Sequence, residues 1–309
     1  MQLTQQILAE KIKDKALDLG FLSVGFTSSD LLSEDASHLS EWLGNGYHAE
    51  MKYMENHFEK RINPKKLVEG SYSVISLLYN YFPKSQSSNQ ESPKIARYAY
   101  GRDYHKVLRK KLKQLFIYIK SELAPGLEGR YFIDSGPVLE RTLARKAGLG
   151  WIGKNSMLIH PKFGSFFFIC EMLINIELPA NGILNDYCGG CTKCIDACPT
   201  NAIVSPKVID SNKCISYHTI ENKNEIPLEL KGSFQNWIFG CDICQEVCPW
   251  NRKSKPHHEP DFDPQNNILN MTRKDWHNLS EEDFESLFYN SAIKRTKYSG
   301  LKRNLNFIS

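Results

Sequence analysis

The organisation of the chain turns on CGGCTKCIDACPT (188–200), in which Cys188, Cys191, Cys194 and Cys198 stand before Pro199 in the spacing C-x2-C-x2-C-x3-C-P. Thiolates this close in sequence can wrap one face of an iron–sulfur cube, and the proline then turns the chain away. Further on, GCDICQEVCPWN (240–251) repeats only the last three places: Cys241, Cys244 and Cys248, with Ile238 where the first cysteine would stand. In two-cluster ferredoxins the fourth cysteine of each run crosses to the other cluster. Applied here, Cys188, Cys191 and Cys194 take Cys248, while Cys241 and Cys244 take Cys198 and remain one ligand short. Cys214, in DSNKCISYH, is the remaining cysteine of the region and is assigned there. Two [4Fe–4S] clusters result. Structural zinc is the alternative, but zinc ribbons use separated C-x2-C pairs and need neither the triple spacing nor the C-P endings.

The ninth cysteine, Cys170, lies in the apolar run FFFIC and reads as a buried core thiol. Nine cysteines in a chain whose first residues, MQLTQQILAEKIKDKALDLG, carry no export signal argue for metal or redox chemistry over disulfides. A cytoplasmic location is expected. The longest apolar run, GSFFFICEMLINIEL (164–178), holds two glutamates and is too short to span a bilayer, so no membrane partner is expected. A net charge of +4 over 309 residues permits a nucleic-acid partner without requiring one.

Outward from the cysteines, residues 4–19 pattern as an amphipathic helix ending at Gly20, and 104–123 as a second with Lys106, Arg109, Lys110 and Lys113 on its wet side. Strands are expected at 21–26, 71–82, 130–134 and 166–178, a helix at 137–147, a polar loop at 84–94, and a helix capped by Ser280. Alternating strands and helices up to about residue 180 indicate an α/β sandwich. The expected units are therefore 1–180, an α/β (or α+β) domain; 181–256, ferredoxin-like; and 257–309, a helical tail.

AGLGWIGKN (147–155) spells a dinucleotide fingerprint, but that motif needs a strand before its glycines, and here a helix leads in. The stretch offers close backbone approach beside Lys154 and Asn155, suited to a large flat ligand or to a plain turn. RYFIDSGPVLER places Asp134 at the end of a strand, where ligands of such sheets gather; a carboxyl group partly desolvated there can donate a proton. A capping or turn aspartate is the local alternative. Asp103 and His105 begin the base-off cobalamin motif D-x-H-x-x-G, which fails at Leu108.

RYFIDSGPVLERTLARKAGLGWIGKNS, CGGCTKCIDACPTNAI, CISYHTIE and IFGCDICQEVCPWN, in that order, resemble the epoxyqueuosine reductases from about residue 20 to 256, with weaker similarity through SAIKRTKYSGLKRN. The resemblance implies a cobalamin-binding α/β domain, similar to the reductive dehalogenases, joined to a two-cluster ferredoxin module. It implies reduction of epoxyqueuosine to queuosine at the wobble position of tRNA, with Asp134 as proton donor. Base-off cobalamin is bound in this family without D-x-H-x-x-G. By the same resemblance His57, Arg97, Lys154 and Asn155 line the cobalamin site, and Ser216, His218 and Asp242 approach from the ferredoxin side. Electrons would come from a flavodoxin-type or ferredoxin donor, and a monomer is expected. Longer members continue past this region into a helical-repeat extension; without it, tRNA affinity would rest on Lys294, Arg295, Lys297, Lys302 and Arg303, or on the basic face of 106–113. The alternatives are a dehalogenase-like enzyme on a small molecule and a non-enzymatic electron carrier.

Overall fold

The computed structural model describes residues 4–85, 91–265 and 268–309; residues 86–90 of the expected polar loop lie outside it. Helix α1 (Gln5–Asp18) begins where the Thr4 hydroxyl accepts the Ile7 N–H, and the chain leaves it at Gly20, whose φ of 91° suits a residue without a Cβ. Next come β1 (Ser23–Ser28), two residues later than expected, and three helices that the pattern did not reveal: α2 (Ser33–Gly44), α3 (Phe58–Ile62) and α4 (Pro64–Leu67). Then follow β2 (Ser73–Asn80), β3 (Lys94–Ile95), α5 (Tyr104–Tyr118), β4 (Gly129–Phe132), α6 (Glu140–Lys146), β5 (Trp151–Ile152), β6 (Leu158–Ile159) and β7 (Phe167–Ile174). A π turn over Ile119–Leu123 carries the α5 helix to its expected end.

The four-stranded sheet runs β1-β2-β7-β4, and every pairing in it is antiparallel. Alternation along the chain suggests crossovers between parallel strands, but β7 returns between β2 and β4 and runs against both. The helices therefore cover the faces of an antiparallel sheet, which is the α+β form of the expected sandwich. Period-two alternation divides the side chains. Val24, Phe26, Ile75, Leu77, Cys170 and Met172 pack under α1 and α5, and Val74, Leu78, Phe167 and Leu173 face α6 and the β5–β6 hairpin. Cys170 is a core thiol, as its apolar context indicated.

The cysteine-rich part contains α7 (Lys193–Asp196), β8 (Ile203–Ser205), β9 (Val208–Ile209), α8 (Ile215–Ile220), β10 (Trp237–Phe239) and α9 (Ile243–Glu246). β10 pairs in parallel with β3, so a segment of the first expected unit shares a small sheet with the second. The last stretch forms α10 (Arg273–Asn278), α11 (Glu281–Leu287) and α12 (Lys297–Phe307), of which only α11 was legible beforehand. Thr272 with Asp275 and Ser280 with Asp283 make capping boxes at α10 and α11. Trp276, Phe284, Phe288, Leu301 and Leu305 close a core against Ile95, Tyr100 and Phe239. Among the described residues no helix is long and apolar enough to cross a membrane.

Candidate functional site

Strand β4 ends at Phe132, and the chain reaches Asp134 with φ at +50°, a left-handed conformation uncommon outside glycine. Two contacts hold it there. The Asp134 N–H donates to Glu140 Oε1 at 2.7 Å, tying the strand end to the first residue of α6, and the Tyr104 hydroxyl donates to Asp134 Oδ2 at 2.6 Å. Asp134 does not cap α6; the N-cap is Leu139, with no side-chain hydrogen bond. Tyr104 is itself fixed by stacking on Phe168 of β7, centroids 4.1 Å apart. Burial, and after it the Asp134 charge, raise the Tyr104 phenol, so it remains a donor. Burial and the Asp134 charge also push the Glu140 carboxyl up to about 8.

Asp134 and Arg141 are accessible to solvent, yet desolvation holds the Arg141 guanidinium below its ordinary range. Arg141 is thus reached by water yet surrounded by protein beside Asp134. Arg141 Nη1 donates to the Ser156 carbonyl, joining α6 to the turn after β5. That turn grips the cysteine-rich module: Asn155 Nδ2 donates to the Cys244 carbonyl at 3.2 Å, Lys154 Nζ to the Gly189 carbonyl at 2.7 Å, and Ser156 Oγ to the Lys207 carbonyl at 2.6 Å. The glycines before it serve packing within the chain. A Cβ on Gly150 would lie 2.3 Å from the Ile159 carbonyl oxygen, and one on Gly148 2.7 Å from that of Gly182. AGLGWIGKN is thus a joint between modules, and Gly148 and Gly150 approach the chain's own backbone.

On the side of the cysteine module, Asp242 accepts from the Arg97 N–H at 2.9 Å and from Arg97 Nη1 at 3.1 Å, while Arg97 Nη2 reaches Glu246 at 2.8 Å. Asp242 is 2% exposed, and burial outweighs the Arg97 attraction to push its carboxyl up to about 6. Tyr98 lies between the two sides. Its phenol is raised first by burial and then by both Asp134 and Asp242, so both carboxyl groups lie near this ring. Tyr53, 49% exposed, adds a phenol pushed up to about 12 by burial, Glu221 and Asp134. His57 is exposed at the start of α3 with φ at +59°. His218 is placed differently from the rest: it is 3% exposed, its Nε2 lies 2.8 Å from the Asn212 carbonyl, and burial lowers its pKa, so its ring is a neutral part of the framework. Ser216, in the first turn of α8, directs its N–H to Cys214 Sγ together with that of Tyr217.

All nine cysteines are free thiols. Cys194 feels the charge of Cys188 and Cys248, and Cys248 that of Cys188 and Cys191. In a second group, Cys214 feels Cys198, Cys241 feels Cys244 and Cys214, and Cys244 feels Cys214 and Cys198, with Cys194 linking the two groups. A zinc site would require four thiolates about 2.3 Å from one ion. Among the described residues no three His, Cys, Asp or Glu side chains converge in that way.

Tyr104, Tyr98 and Glu140 escaped the sequence reading. Tyr104 lies inside the D-x-H that fails as a cobalamin motif, and Glu140 is the last residue but one of FIDSGPVLER; neither residue type signals its partner without the fold.

Residues 61–135 match the family model described as "Epoxyqueuosine reductase QueG, DUF1730", and residues 187–251 match "4Fe-4S double cluster binding domain". An epoxyqueuosine reductase of Cellulophaga algicola is 52% identical over 99% of both chains. A crystal structure of an epoxyqueuosine reductase with a tRNA-Tyr epoxyqueuosine-modified stem loop superposes with a TM-score of 0.90 at 31% identity, over 98% of this chain and 80% of that one. The Bacillus subtilis enzyme, in a structure whose catalytic aspartate loop is swung out of the active site, gives 0.90 at 30% identity over 98% and 81%. The reductive dehalogenase NpRdhA shares only the fold, with a TM-score of 0.52 at 17% identity over 39% of that chain. The paired cysteine runs, the carboxyl group at the end of β4 and near full-length identity to its relatives converge on one assignment: this chain is an oxidoreductase that belongs to the epoxyqueuosine reductase family.

Proposed function

We propose that the chain removes the epoxide oxygen of epoxyqueuosine carried at the wobble position of tRNA, consuming two electrons and two protons and leaving queuosine and water. The observation that carries this reading is a solvent-reached carboxyl group, Asp134, held between a phenol and a second carboxyl group, with Tyr98 near both it and Asp242 of the cysteine module.

The site fits cobalamin by its donor set. Exposed guanidinium and phenol groups at Arg141 and Tyr53 stand near Asp134, and Arg97, Tyr98 and Asn155 tie this side to the cysteine module, a donor set that suits a large ligand with a polar edge and not a single ion. On the α/β side we assign His57, Arg97, Lys154 and Asn155 to hold it, and on the other side Ser216 and Asp242; His218 supports these through the framework. Cys188, Cys191, Cys194 and Cys248 would hold one [4Fe–4S] cluster, and Cys198, Cys214, Cys241 and Cys244 the other. When bound, cobalamin reduced through the clusters supplies the strongly reducing metal chemistry that breaks the carbon–oxygen bond.

The chain's own part is placement and proton supply. Asp134 gives its proton to the epoxide oxygen as that bond breaks, and the Tyr104 hydroxyl, already directed at Oδ2, stabilises the carboxylate left behind. Glu140 keeps the Asp134 backbone from swinging away. The Arg97–Asp242 pair ties the cysteine module to the segment that carries Tyr98. We place the enzyme in the cytoplasm as a monomer that draws electrons from a flavodoxin-type or ferredoxin donor.

Anaerobically reconstituted protein should carry about eight irons and one cobalt per chain, as two four-iron clusters and one corrin require. With reductant and epoxyqueuosine-containing tRNA, the nucleoside mass should fall by one oxygen. Asp134→Asn should lower kcat by roughly 10²- to 10⁴-fold, the range of a positioned general acid, with iron and cobalt content unchanged. Full activity in that variant would remove Asp134 from the mechanism. Zinc-loaded, cobalt-free protein would overturn the cofactor assignment.

A further inference from the structure

Two basic stretches that lie 190 residues apart in the chain meet beside the proton-donating pair. A pocket of about 240 Å³ opens where the start of α5 faces the segment before α12, lined by Lys106, Tyr289, Asn290, Lys294 and Arg295, with Asp103 at its back. Asp103 is turned inward: it accepts from the His105 N–H at 3.0 Å, and Arg295 lies 3.4 Å away. Lys106 and Lys294 thus stand at the pocket's surface, while Arg295 is held by Asp103 and His105.

Their present partners are replaceable. Lys294 pairs with Glu285 at 2.6 Å between two exposed side chains, and Lys106 donates to the neutral Asn290 amide at 3.1 Å. Exposed pairs of this kind contribute about 0–1 kcal/mol, so an incoming phosphate can displace them at little cost. At the mouth stands Tyr289, 69% exposed, with Lys294 5.6 Å from its ring centroid. An aromatic face open to solvent beside lysines is the arrangement that stacks an unpaired base while holding its backbone.

The pocket also connects to the site. Arg295 Nη2 lies 2.7 Å from His105 Nδ1, the His105 ring lies 4.1 Å from that of Tyr104, and Tyr104 holds Asp134. From the pocket, Lys106, Arg109, Lys110 and Lys113 form an exposed stripe along α5 at helical spacing. The structure excludes two of the other basic residues of the last segment: Lys302 donates to the His277 carbonyl, and Arg303 spans the carbonyls of His218, Asn222 and Asn224.

We propose that this pocket seats a phosphodiester of the unpaired RNA loop next to the modified nucleoside, with Tyr289 stacking a neighbouring base and the α5 stripe following the backbone. The proposal rests on the reading that the substrate is carried in tRNA.

The test uses the cluster- and cobalamin-loaded enzyme with two probes: an unmodified anticodon stem-loop RNA for binding, and epoxyqueuosine-containing tRNA for turnover. Lys106→Ala and Lys294→Ala should each raise Kd and KM several-fold, leave kcat within about two-fold, and flatten the plot of log K against log salt by about 0.7. Tyr289→Ala should weaken binding without changing that slope. Lys120→Ala, an exposed lysine in the π turn at the far end of the same helical run, should change none of these. Wild-type turnover with unaltered affinity and slope in both lysine variants would overturn the pocket and leave the substrate reading intact. Loaded wild-type enzyme that fails to reduce the tRNA would overturn both.

Discussion

At Asp134 an unusual backbone and two side-chain contacts act together, and each can be removed separately. Tyr104→Phe deletes a hydrogen bond to a charged group and keeps the ring on Phe168, so kcat should fall about 10- to 100-fold, as a loss of about 1.5–3 kcal/mol implies, with stability nearly unchanged. Glu140→Gln keeps an oxygen to accept the Asp134 N–H, whereas Glu140→Ala does not. The glutamine variant should retain most of the kcat that the alanine variant loses. The two would be equally impaired if only the charge of Glu140 mattered. The charge appears in stability instead. Burial raises the Glu140 carboxyl from its ordinary 4.5 to about 8, so between these values the folded state holds a proton that the unfolded state has released. Stability falls as pH rises through that window, and Glu140→Gln should flatten the fall in denaturant titrations. Asp134 stood out in FIDSGP by its strand-end position, but the pattern there equally fitted a turn aspartate, and its role came from the family resemblance. Glu140 and Tyr104 did not stand out, because a carboxylate and a phenol on an amphipathic helix look the same whether they face solvent or a neighbour.

Among the elements, the hairpin turn leading into β7 carries a pH-sensitive part of its own. His160 accepts the Lys162 N–H at Nδ1, stacks on Phe163 with centroids 4.6 Å apart, and is pushed down to about 4 by burial and then by Lys162. A depressed histidine favours the folded state while neutral. Its contribution is present above about 6.5 and is lost as pH falls toward 4, because the unfolded chain takes up the proton first. His160→Gln should therefore reduce the loss of stability between pH 7 and 5, followed by chemical denaturation. The turn matters because Ser165 follows it: Asn251 Oδ1 accepts the Ser165 N–H at 2.6 Å, and Gln245 Nε2 donates to the Ser165 carbonyl at 3.0 Å, binding the sheet to the second cysteine run. The long helices α1 and α5 were readable because each buries one stripe against a single sheet face. Helices α3 and α4 are too short to show a period, and α2 buries only Leu39, so composition carried no signal for them.

At the scale of the whole molecule, the last 45 or so residues are a structural part of the core. Asn304, fully buried in α12, donates to the carbonyls of Thr219 and Ile238, and Phe284 is enclosed with Trp276 and Phe288. Phe284→Ala should cost about 3–5 kcal/mol as a large-to-small core change. Because the same core includes Ile95 and Phe239 beside the cysteine module, the lost cluster absorbance should track the tail's unfolding in one transition. Two separate transitions would show that the tail folds on its own.

What the sequence determined by itself is the chemistry whose ligands are covalently close: three cysteines within seven residues of one another announce a cluster whatever the rest of the chain does, and strand and helix periods follow from one-sided burial. Only the tertiary structure decided which distant groups meet. It paired β7 antiparallel between β2 and β4, gave Arg97 to Asp242 across 145 residues, joined β3 to β10, and brought Lys106 to Lys294 and Arg295. Local pattern records the face a residue buries, because that depends on its own neighbours along the chain. It does not record what lies opposite that face, because that is settled by packing among elements far apart in sequence.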